Sequence, residues 1–287
     1  GNDRLNGVKR ADLRLHPRLV AVDLDGTFLD EHSAVSEASR RAAEEIMAQG
    51  IEFVVTSGRI LSRFPKDVLS IEEMHFAVTA NGASLLDLEG KRELFSDPIP
   101  EETAARILDA VFSFPVYCEV YSGNRAFTDG DRLRFFRDDF YTPNRLKAMN
   151  QSRNLVPGLR ELVRHPGCGV QKVFLPHVSE EYKQAFEEKL FAIDGIEVTN
   201  SFPLHYEVNR QGCNKAHGLR QLCGRLGISA EEVMAFGDAN NDSAMLRFAG
   251  MSVAMGNAEA DVRRQARFIA KSNAEDGVAC FLREHVL

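Results

Sequence analysis

The sequence has few cysteines, and none of them belongs to a C-x-x-C pair. The eight histidines likewise include no H-E-x-x-H pair, so neither of these zinc-binding patterns is present. An odd number of widely separated cysteines does not indicate a disulfide framework, and we expect reduced, structural thiols. They are Cys118, Cys168, Cys213, Cys223 and Cys280. Any bound metal is therefore expected to have oxygen ligands.

The sequence also lacks a membrane-spanning run, a signal-peptide core and an excess of basic residues. No uninterrupted apolar segment approaches the ~18 residues that a membrane-spanning helix needs. The segment "GNDRLNGVKRADLRLHPR" has no apolar core of the signal-peptide kind. The formal net charge is -7, so no basic field favours nucleic acid or an anionic membrane. We expect a cytoplasmic protein, a monomer or weak homo-oligomer, whose partner is a small molecule rather than nucleic acid or a membrane.

Three common motifs for phosphate or calcium binding are absent as well. There is no G-x-x-x-x-G-K-[ST] and no complete G-x-G-x-x-G after a predicted strand, so a P-loop kinase or a dinucleotide enzyme is not expected. An EF-hand loop with Gly26 in sixth place would have Ala21 as its first ligand and His32 in place of the bidentate Glu. An EF-hand loop that begins at Asp238 fails as well, because Ser243 replaces the glycine and Ala249 replaces the Glu.

Short apolar runs alternate with helical patterns, which is typical of a parallel sheet with crossover helices. Between the first two runs, "SEASRRAAEEIMAQG" predicts a helix with Ser36 as N-cap and Gly50 at its C-terminal end. With 44% hydrophobic residues, the chain is long enough for one large domain or two smaller ones. We therefore predict an α/β fold with the core strands "RLVAVDLD", "IEFVVTSG", "HFAVTANG", "EVMAFGD", "MSVAMG" and "ARFIAKS".

The pattern changes between residues 85 and 205. "PEETAARILDAVFSF" predicts a helix, and "VYCEVYS" with "NRAFT" predicts a hairpin after it. The same order returns in "SEEYKQAFEEKLFAI", with Ser179 as N-cap, followed by the strands "GIEVTNS" and "LHYEVN". We predict a core domain of residues 1–84 and 206–287, with an α/β domain of residues 85–205 inserted into it. Within the insertion, "RLRFFRDDFY" predicts an amphipathic helix rather than a nucleic-acid surface, because acids balance its basic residues.

Polar residues follow four of the predicted core strands at their carboxyl ends. Because side chains alternate along a strand, Asp23 and Asp25 leave "AVDLDGT" on one side while Leu24 points to the other. The four clusters are Asp23 and Asp25; Ser57, Gly58 and Arg59; Asn81; and Asp238, Asn241 and Asp242. Ligands of an open parallel sheet bind beyond the carboxyl ends of its strands, so these clusters are expected to line one crevice.

These motifs, taken in order, resemble those of the haloacid dehalogenase superfamily, in particular its Cof-type phosphatases. "DLDGTFLD" is followed by "TSGR", by "NGA", by a lysine that opens a helix in "QGCNKAHGLRQL", and by "GDANNDSAML". The resemblance covers nearly the whole chain and implies a Rossmann-like core with an inserted α/β cap of the C2B type. Two positions depart from the family pattern: Ser57 replaces a threonine but keeps the hydroxyl, and Ala216 replaces a glycine beside Lys215.

The resemblance implies covalent phosphoryl transfer, which the residue types also allow. Asp23 is expected to attack phosphorus and form an aspartyl-phosphate. Asp25 is expected to protonate the leaving alkoxide and then to take a proton from the water that hydrolyses the intermediate. Ser57 and Lys215 are expected to bind the transferring phosphoryl oxygens. Further candidates for phosphate binding are Gly58, Arg59, Asn81 and Asn241.

The resemblance also implies Mg²⁺ as cofactor. Several carboxylates around a phosphate dianion would repel it, so a hard divalent cation is needed. The expected ligands are Asp23, Asp238 and the main-chain carbonyl of Asp25. Asp242 is expected to act through water or to orient the other ligands.

Three functions stay open at this point. The favoured one is a Mg²⁺-dependent phosphatase of small phosphate monoesters, with sugar phosphates as the class that the resemblance favours. A phosphomutase would use the same aspartyl-phosphate, and a ligand-binding protein would keep the fold without turnover. A dehalogenase is disfavoured, because metal-free displacement of halide gives no purpose to Asp25 or "GDANND".

The inserted domain is expected to close over the crevice and to contact the part of the substrate beyond its phosphate. Its candidate contact residues are Glu119, Tyr121, Arg125, Lys172 and His205. For each of them, a purely structural role within the cap is equally expected.

Overall fold

The computed structural model describes residues 13–287. Residues 1–12 open the predicted core domain and form most of the segment in which no signal-peptide core was found, and they lie outside the described residues. No helix within the described range is long and apolar enough to cross a membrane.

The described residues form two sheets with helices packed against them. In chain order the strands are β1 (Leu19–Val22), β2 (Glu52–Thr56), β3 (Phe76–Thr79), β4 (Ser84–Asp87), β5 (Arg92–Ser96), β6 (Glu119–Ser122), β7 (Arg125–Asp129), β8 (Arg153–Val156), β9 (Val170–Leu175), β10 (Ile196–Thr199), β11 (Tyr206–Arg210), β12 (Val233–Gly237), β13 (Met251–Ala254) and β14 (Phe268–Ile269). The helices are α1 (Glu37–Ala48), α2 (Lys66–Leu69), α3 (Glu101–Val111), α4 (Gly130–Leu133), α5 (Pro143–Ser152), α6 (Leu159–Arg164), α7 (Lys183–Phe191), α8 (Lys215–Leu226), α9 (Ser243–Phe248), α10 (Ala260–Gln265) and α11 (Gly277–His285).

The first sheet has the strand order β14-β13-β12-β1-β2-β3-β4-β5. The strands from β14 to β3 pair in parallel, and they are the six predicted core strands. Central β1 is buried on both faces: Val20 and Val22 pack in a cluster with α1 and α11, whereas Leu19 and Ala21 pack with α8 and α9. The predicted α/β class with a parallel sheet is confirmed.

The N-terminal ends of two predicted helices differ in how they are capped. Ser36 Oγ accepts the N–H of Ser39 (3.1 Å), which confirms the predicted N-cap of α1, and Gly50 follows the helix with φ +82°. Ser179 instead precedes a short 3₁₀ turn, and its side chain makes no capping hydrogen bond. The regular helix α7 begins only at Lys183.

The second sheet has the order β10-β11-β9-β6-β7-β8 and packs against α3, α6 and α7. It includes β11, whereas β4 and β5 extend the first sheet as an antiparallel hairpin. The predicted domain boundaries at 85 and 205 therefore do not coincide with the change of sheet. β5 is a partly exposed edge strand, so it lacks the continuous apolar run that marks buried parallel strands. The division into a catalytic core and a cap stays a proposal.

The prediction of a helix over "RLRFFRDDFY" is wrong. α4 ends at Leu133, and Asp138–Phe140 form a separate 3₁₀ turn. Pro143 favours extended backbone in the residue before it, and Thr142 has φ -62° and ψ 153°, so no helix runs through this stretch into α5. The rings of Phe136 and Tyr141 stack across the break with centroids 6.0 Å apart.

Candidate active site

Asp23 lies at the carboxyl end of β1, in the middle of the first sheet. Its backbone N–H donates to the carbonyl of Phe236 in β12 (3.2 Å), and its Oδ1 accepts the N–H of Leu24 (2.7 Å). The turn after Asp23 needs Gly26, which has φ +77° and where a Cβ would lie 2.1 Å from Asp238 Oδ2. This close approach brings Asp238, which follows β12, to the same end of the sheet.

Lys215 reaches this point from the first residue of α8. The helix begins after Asn214, whose Oδ1 accepts the N–H of His217 (3.1 Å) as N-cap. Lys215 is fully buried, and its Nζ lies 3.1 Å from Asp23 Oδ1 and 2.7 Å from Asp242 Oδ1. An ammonium group between two carboxylates compensates charges that would otherwise be costly to bury.

The acidic groups outweigh this one lysine. Burial, and next the charge of Asp242, raise the pKa values of Asp23 and Asp238 well above their usual range, although Lys215 acts in the opposite direction. Burial alone would lower the pKa of Lys215, but Asp23 and Asp242 raise it, so the amine is charged. The surplus of negative charge is the condition under which a site attracts a cation.

Asp23, Asp238 and Asp242 each contribute one carboxylate oxygen to a group whose members all lie within 4.8 Å of one another. Asp242 is already held, because its Oδ1 accepts from Lys215 and its Oδ2 accepts two backbone N–H groups of the turn after β12 (2.9 and 3.2 Å). Asp238 Oδ1 accepts the hydroxyl of Thr27 (2.9 Å). This all-oxygen set suits a hard divalent cation such as Mg²⁺.

Asp25 is paired with Arg59, which follows β2. Arg59 Nε and Nη2 donate to its two carboxylate oxygens at 2.8 and 2.6 Å, and Arg59 Nη1 donates to the carbonyl of Arg63 (2.8 Å). Burial would raise the pKa of Asp25, but Arg59 and then Arg145 hold it well below its usual range. Asp25 is therefore ionised in this arrangement. All three guanidinium nitrogens of Arg59 donate within the protein in this arrangement, and its contact with phosphate stays a prediction.

Ser57 and Gly58 form the turn between β2 and Arg59. Ser57 Oγ is buried and accepts the N–H of Arg59 (2.9 Å), which leaves the hydroxyl hydrogen able to donate. The carbonyl of Gly58 accepts Lys172 Nζ (2.6 Å) from β9 of the second sheet. A Cβ at Gly58 would lie 2.5 Å from Glu207 Oε1, so glycine permits the second sheet to approach here.

Glu207 of β11 connects the two sheets at the site, and the sequence reasoning missed it. Its carboxylate accepts Lys172 Nζ (2.6 Å), Asn81 Nδ2 (3.2 Å) and Asn241 Nδ2 (3.2 Å). Burial alone would raise its pKa, but Lys172 and His205 hold the pKa well below the usual value. The available signal was an acid inside the alternating strand "LHYEVN", because buried carboxylates need partners. Asn81 and Asn241, predicted to bind phosphate, both donate to Glu207 in this structure, and their phosphate-binding role stays a prediction.

A cavity of about 170 Å³ lies between the two sheets beside these groups. The first sheet and its loops contribute Asp23, Asp25, Gly58, Arg59 and Asn241. The second sheet and its helices and loops contribute Tyr141, Arg145, Lys172, Phe174, His205 and Glu207, among others. The predicted nucleophile Asp23 therefore shares this cavity with side chains of the second sheet and its helices and loops.

The five cap candidates from the sequence divide into two groups. Lys172 and His205 line the cavity. Glu119 and Tyr121 are buried elsewhere, and Arg125 donates to Asn154 at the surface. Sequence reasoning also missed Arg145, because "TPNRLKAMN" has the composition of an ordinary polar helix and nothing in it shows which face meets the core.

The chain is similar to known proteins in both sequence and structure. A family model described as haloacid dehalogenase-like hydrolase matches residues 20–282. The 5-amino-6-(5-phospho-D-ribitylamino)uracil phosphatase YcsE of Bacillus subtilis (strain 168) is 30% identical over 287 residues, which cover 98% of this chain and 99% of that protein. Phosphatase YwpJ of the same strain is 30% identical, with 94% and 100% covered. A solved haloacid dehalogenase-like hydrolase from B. subtilis has a TM-score of 0.79 at 27% identity, with 93% and 99% covered.

Proposed function

This chain belongs to the haloacid dehalogenase-like hydrolase family and is a phosphatase, and from that premise we propose that it hydrolyses small phosphate monoesters with Mg²⁺ as cofactor and Asp23 as nucleophile. The observation that carries the proposal is the position of Asp23. It is buried at the end of the central strand, it lies 3.1 Å from Lys215 Nζ, and it lines the cavity. Attack on phosphorus needs such a carboxylate, with positive charge nearby and water kept out.

The proposed reaction has two steps at Asp23. A carboxylate oxygen of Asp23 forms a bond to phosphorus as the bond to the substrate alkoxide breaks. Water then attacks the aspartyl-phosphate, which releases phosphate and restores the carboxylate. Lys215 orients Asp23 and offers its ammonium group to the phosphoryl oxygens, and Ser57 offers its hydroxyl hydrogen.

Asp25 is proposed to give a proton to the leaving alkoxide and to regain one from the attacking water. Because Arg59 holds Asp25 in this structure, the proposal requires Arg59 to exchange that carboxylate for the phosphate of the substrate. A phosphate dianion offers the same bidentate geometry with more negative charge. Once released, Asp25 takes up the first proton from solvent.

Mg²⁺ would be held by Asp23 and Asp238, with the backbone carbonyl of Asp25 as a further proposed ligand and Asp242 orienting the set. The fit is supported by the oxygen-only donors and by the acidic surplus that Lys215 leaves. When bound, the cation neutralises charge between the carboxylates and the phosphate.

Phosphorylated sugars and sugar alcohols are the proposed substrates. YcsE is named for a substrate that carries a phosphorylated ribityl chain, and it matches 98% of this chain. The cavity lining supports the same class, because Lys172, Glu207 and Asn241 offer both donors and acceptors to hydroxyl groups.

The test measures phosphate release from 4-nitrophenyl phosphate and a panel of sugar phosphates, with Mg²⁺ and with EDTA. We expect turnover only with the cation, and a decrease in kcat of at least about a thousandfold in Asp23→Asn. Analysis of the organic product separates hydrolysis from a phosphomutase, which would yield a positional isomer instead of free phosphate. Absence of both products with every ester would contradict the proposal and favour a ligand-binding protein.

A further inference from the structure

We propose that the cavity contains a second anion-binding site, formed by Arg145, Tyr141 and His205, which binds a carboxylate or a second phosphate on the leaving group of the substrate. The inference rests on the proposed phosphatase function and narrows its substrate class. The preferred substrates are phosphate monoesters whose leaving group has a negative charge of its own.

Arg145 differs from the other cations that line the cavity. Arg59 is paired with Asp25, and Lys172 is paired with Glu207. The guanidinium of Arg145 has no hydrogen bond or ion pair to any residue in the described range, and its Nη1 is buried. A guanidinium without a hydrogen-bonded or ion-paired partner costs free energy when it is buried between the two sheets, and a bound anion removes part of that cost. The geometry therefore favours a ligand with negative charge at this position.

Two more side chains offer unused donors to the same cavity. Tyr141 Oη is buried and has no partner among the described residues. His205 is 5% exposed, its Nδ1 has no partner, and its Nε2 lies 3.6 Å from Glu207 Oε2, beyond hydrogen-bonding distance. Asn241 Oδ1 is also unused, so the unpartnered groups around the cavity are a guanidinium nitrogen, a hydroxyl, imidazole nitrogens and one amide oxygen. Buried polar groups are normally satisfied, and this set is completed by a ligand rich in acceptor oxygens.

The anion that is proposed to bind Arg145 is distinct from the phosphoryl group that is transferred. The transferred group is expected to bind Lys215, at the start of α8, and Ser57, which follows β2 of the first sheet. Arg145, Tyr141 and His205 line the cavity, whereas Lys215 and Ser57 are not among the residues that line it. Arg145 therefore lies on the leaving-group side of the site.

The start of α5 is fixed to the first domain, so Arg145 is presented to the cavity before any substrate binds. The hydroxyls of Thr142 and Ser33 are 2.6 Å apart, and Asn144 Nδ2 donates to the carbonyl of His32 (2.9 Å). Both contacts join the cap to the loop after β1. These contacts fix the start of α5, so less ordering of the helix is needed when an anion binds Arg145.

The test compares substrates that differ in a single anionic group. One pair is 6-phosphogluconate and sorbitol 6-phosphate, in which a carboxylate replaces a hydroxymethyl group. The other pair is fructose 1,6-bisphosphate and fructose 6-phosphate. In at least one pair we expect kcat/KM to be about tenfold or more higher for the more anionic member, and the pair that responds identifies carboxylate or phosphate as the ligand.

Arg145→Gln removes the charge from the site, and Lys147→Gln removes a charge from an exposed position of the same helix. Because Arg145 also acts on Asp25, Arg145→Gln can change kcat/KM for both members of a pair, and the measured quantity is therefore the ratio of kcat/KM between them. We expect Arg145→Gln to lower this ratio, more anionic over less anionic member, by about 10- to 100-fold. Lys147→Gln should leave the ratio unchanged. Equal losses on both members of a pair would mean that Arg145 acts on a group or step common to all esters, and would overturn the proposal.

Failure of this inference can be distinguished from failure of the proposed function. Wild-type protein could hydrolyse the esters with uncharged leaving groups and yet show no preference within either pair. That result would refute the second anion site and leave the proposed phosphatase function intact. If no ester is hydrolysed, titration calorimetry of the same pairs replaces kinetics. Tighter binding of the anionic member, lost in Arg145→Gln, would support the site, and equal binding would overturn it.

Discussion

At the scale of single residues, one buried lysine balances the acidic cluster. Lys215→Met removes the positive charge between Asp23 and Asp242 and leaves both carboxylates buried without it. We expect kcat to fall by about 100-fold or more. In EDTA, we expect the free energy of unfolding to fall by about 3 kcal/mol, because broken buried ion pairs are strongly destabilising. Urea titrations and phosphate-release kinetics measure the two effects.

The matched control for this variant is Lys147→Met, which removes an exposed lysine. It should change neither kcat nor the urea midpoint. A kcat within tenfold of wild type in Lys215→Met would mean that Asp23 does not depend on this ammonium group.

The second test at this scale concerns Asp238, whose charged form is destabilised by burial and then by repulsion from Asp242. Asp238→Asn keeps an oxygen that can accept from Thr27 but removes the charge. In EDTA we expect its Tm to equal or exceed that of wild type, because like-charge repulsion is relieved. Addition of Mg²⁺ should raise the Tm of wild type but not of the variant, since a cation stabilises only the form that binds it.

Differential scanning fluorimetry with and without Mg²⁺ gives this comparison independently of activity. Asp194→Asn, at an exposed acid, should respond to Mg²⁺ as wild type does. An equal Mg²⁺ response in Asp238→Asn would indicate that the cation is held by other residues.

At the scale of elements, the approach of α8 to β3 positions Lys215. A Cβ at Gly218 would lie 2.5 Å from Val78 Cγ1 and 3.0 Å from Gly82 Cα, and neither a β-branched side chain nor backbone yields easily. We expect Gly218→Ala to destabilise the protein by about 1–3 kcal/mol and to lower kcat by displacing Lys215. At Gly224, in the same helix, a Cβ would meet nothing within 4 Å. Gly224→Ala should stabilise the protein by up to about 1 kcal/mol. In urea denaturation, the free energy of unfolding should therefore fall in Gly218→Ala and rise in Gly224→Ala. A change in the same direction in both variants would contradict the packing argument.

The same contrast between elements explains what the sequence could predict of the fold. β1 is buried along its whole length, and "LVAV" has the apolar character that this burial needs. β5 is an edge strand with mostly half-exposed or exposed residues, and its sequence does not distinguish an extension of the first sheet from part of the insertion. Strands that are buried on both faces, such as β1, were predictable from their apolar sequence. Edge strands that pair with one neighbouring strand only, such as β5, were not.

The candidate site shows the same limit. Asp23 and Asp238 follow buried strands, so sheet topology alone predicts that they meet. Glu207 and Arg145 reach the cavity only through the way the second sheet and α5 sit on the first domain. No local pattern encodes that placement, and an isolated charge in a strand or helix is more often a solvated surface residue.

At the scale of the whole molecule, a buried ion pair joins the two sheets outside the active site. Arg63, from the loop after β2, donates to both carboxylate oxygens of Glu119 in β6 at 2.5 and 2.7 Å, and both side chains are fully buried. Tyr117 donates to the same carboxylate, and Arg63 Nε donates to Ser152 Oγ (2.9 Å) at the end of α5. This network ties the core to β6 of the second sheet and to α5, which contributes Arg145 to the cavity.

Glu119→Gln is expected to lower the free energy of unfolding near neutral pH by about 3 kcal/mol or more, because Arg63 then stays buried beside a neutral partner. Burial would raise the pKa of Glu119, but Arg63 lowers it below 4.5 in the folded protein. The ionised carboxylate therefore stabilises the fold fully above pH 4.5, and this contribution is lost as the pH falls through the lowered pKa. The stability difference between wild type and Glu119→Gln should accordingly be constant above that pH and shrink below it.

Urea denaturation at a series of pH values measures this difference. Glu45→Gln is the control, because Glu45 and Arg283 form an exposed ion pair of similar length (2.8 Å), and loss of that pair should not change stability measurably. A difference between wild type and Glu119→Gln that stays constant into strong acid would mean that the carboxylate is not ionised in the folded protein. The core and the cap would then be joined there by packing and neutral hydrogen bonds, and the closed arrangement of the cavity would not depend on charge.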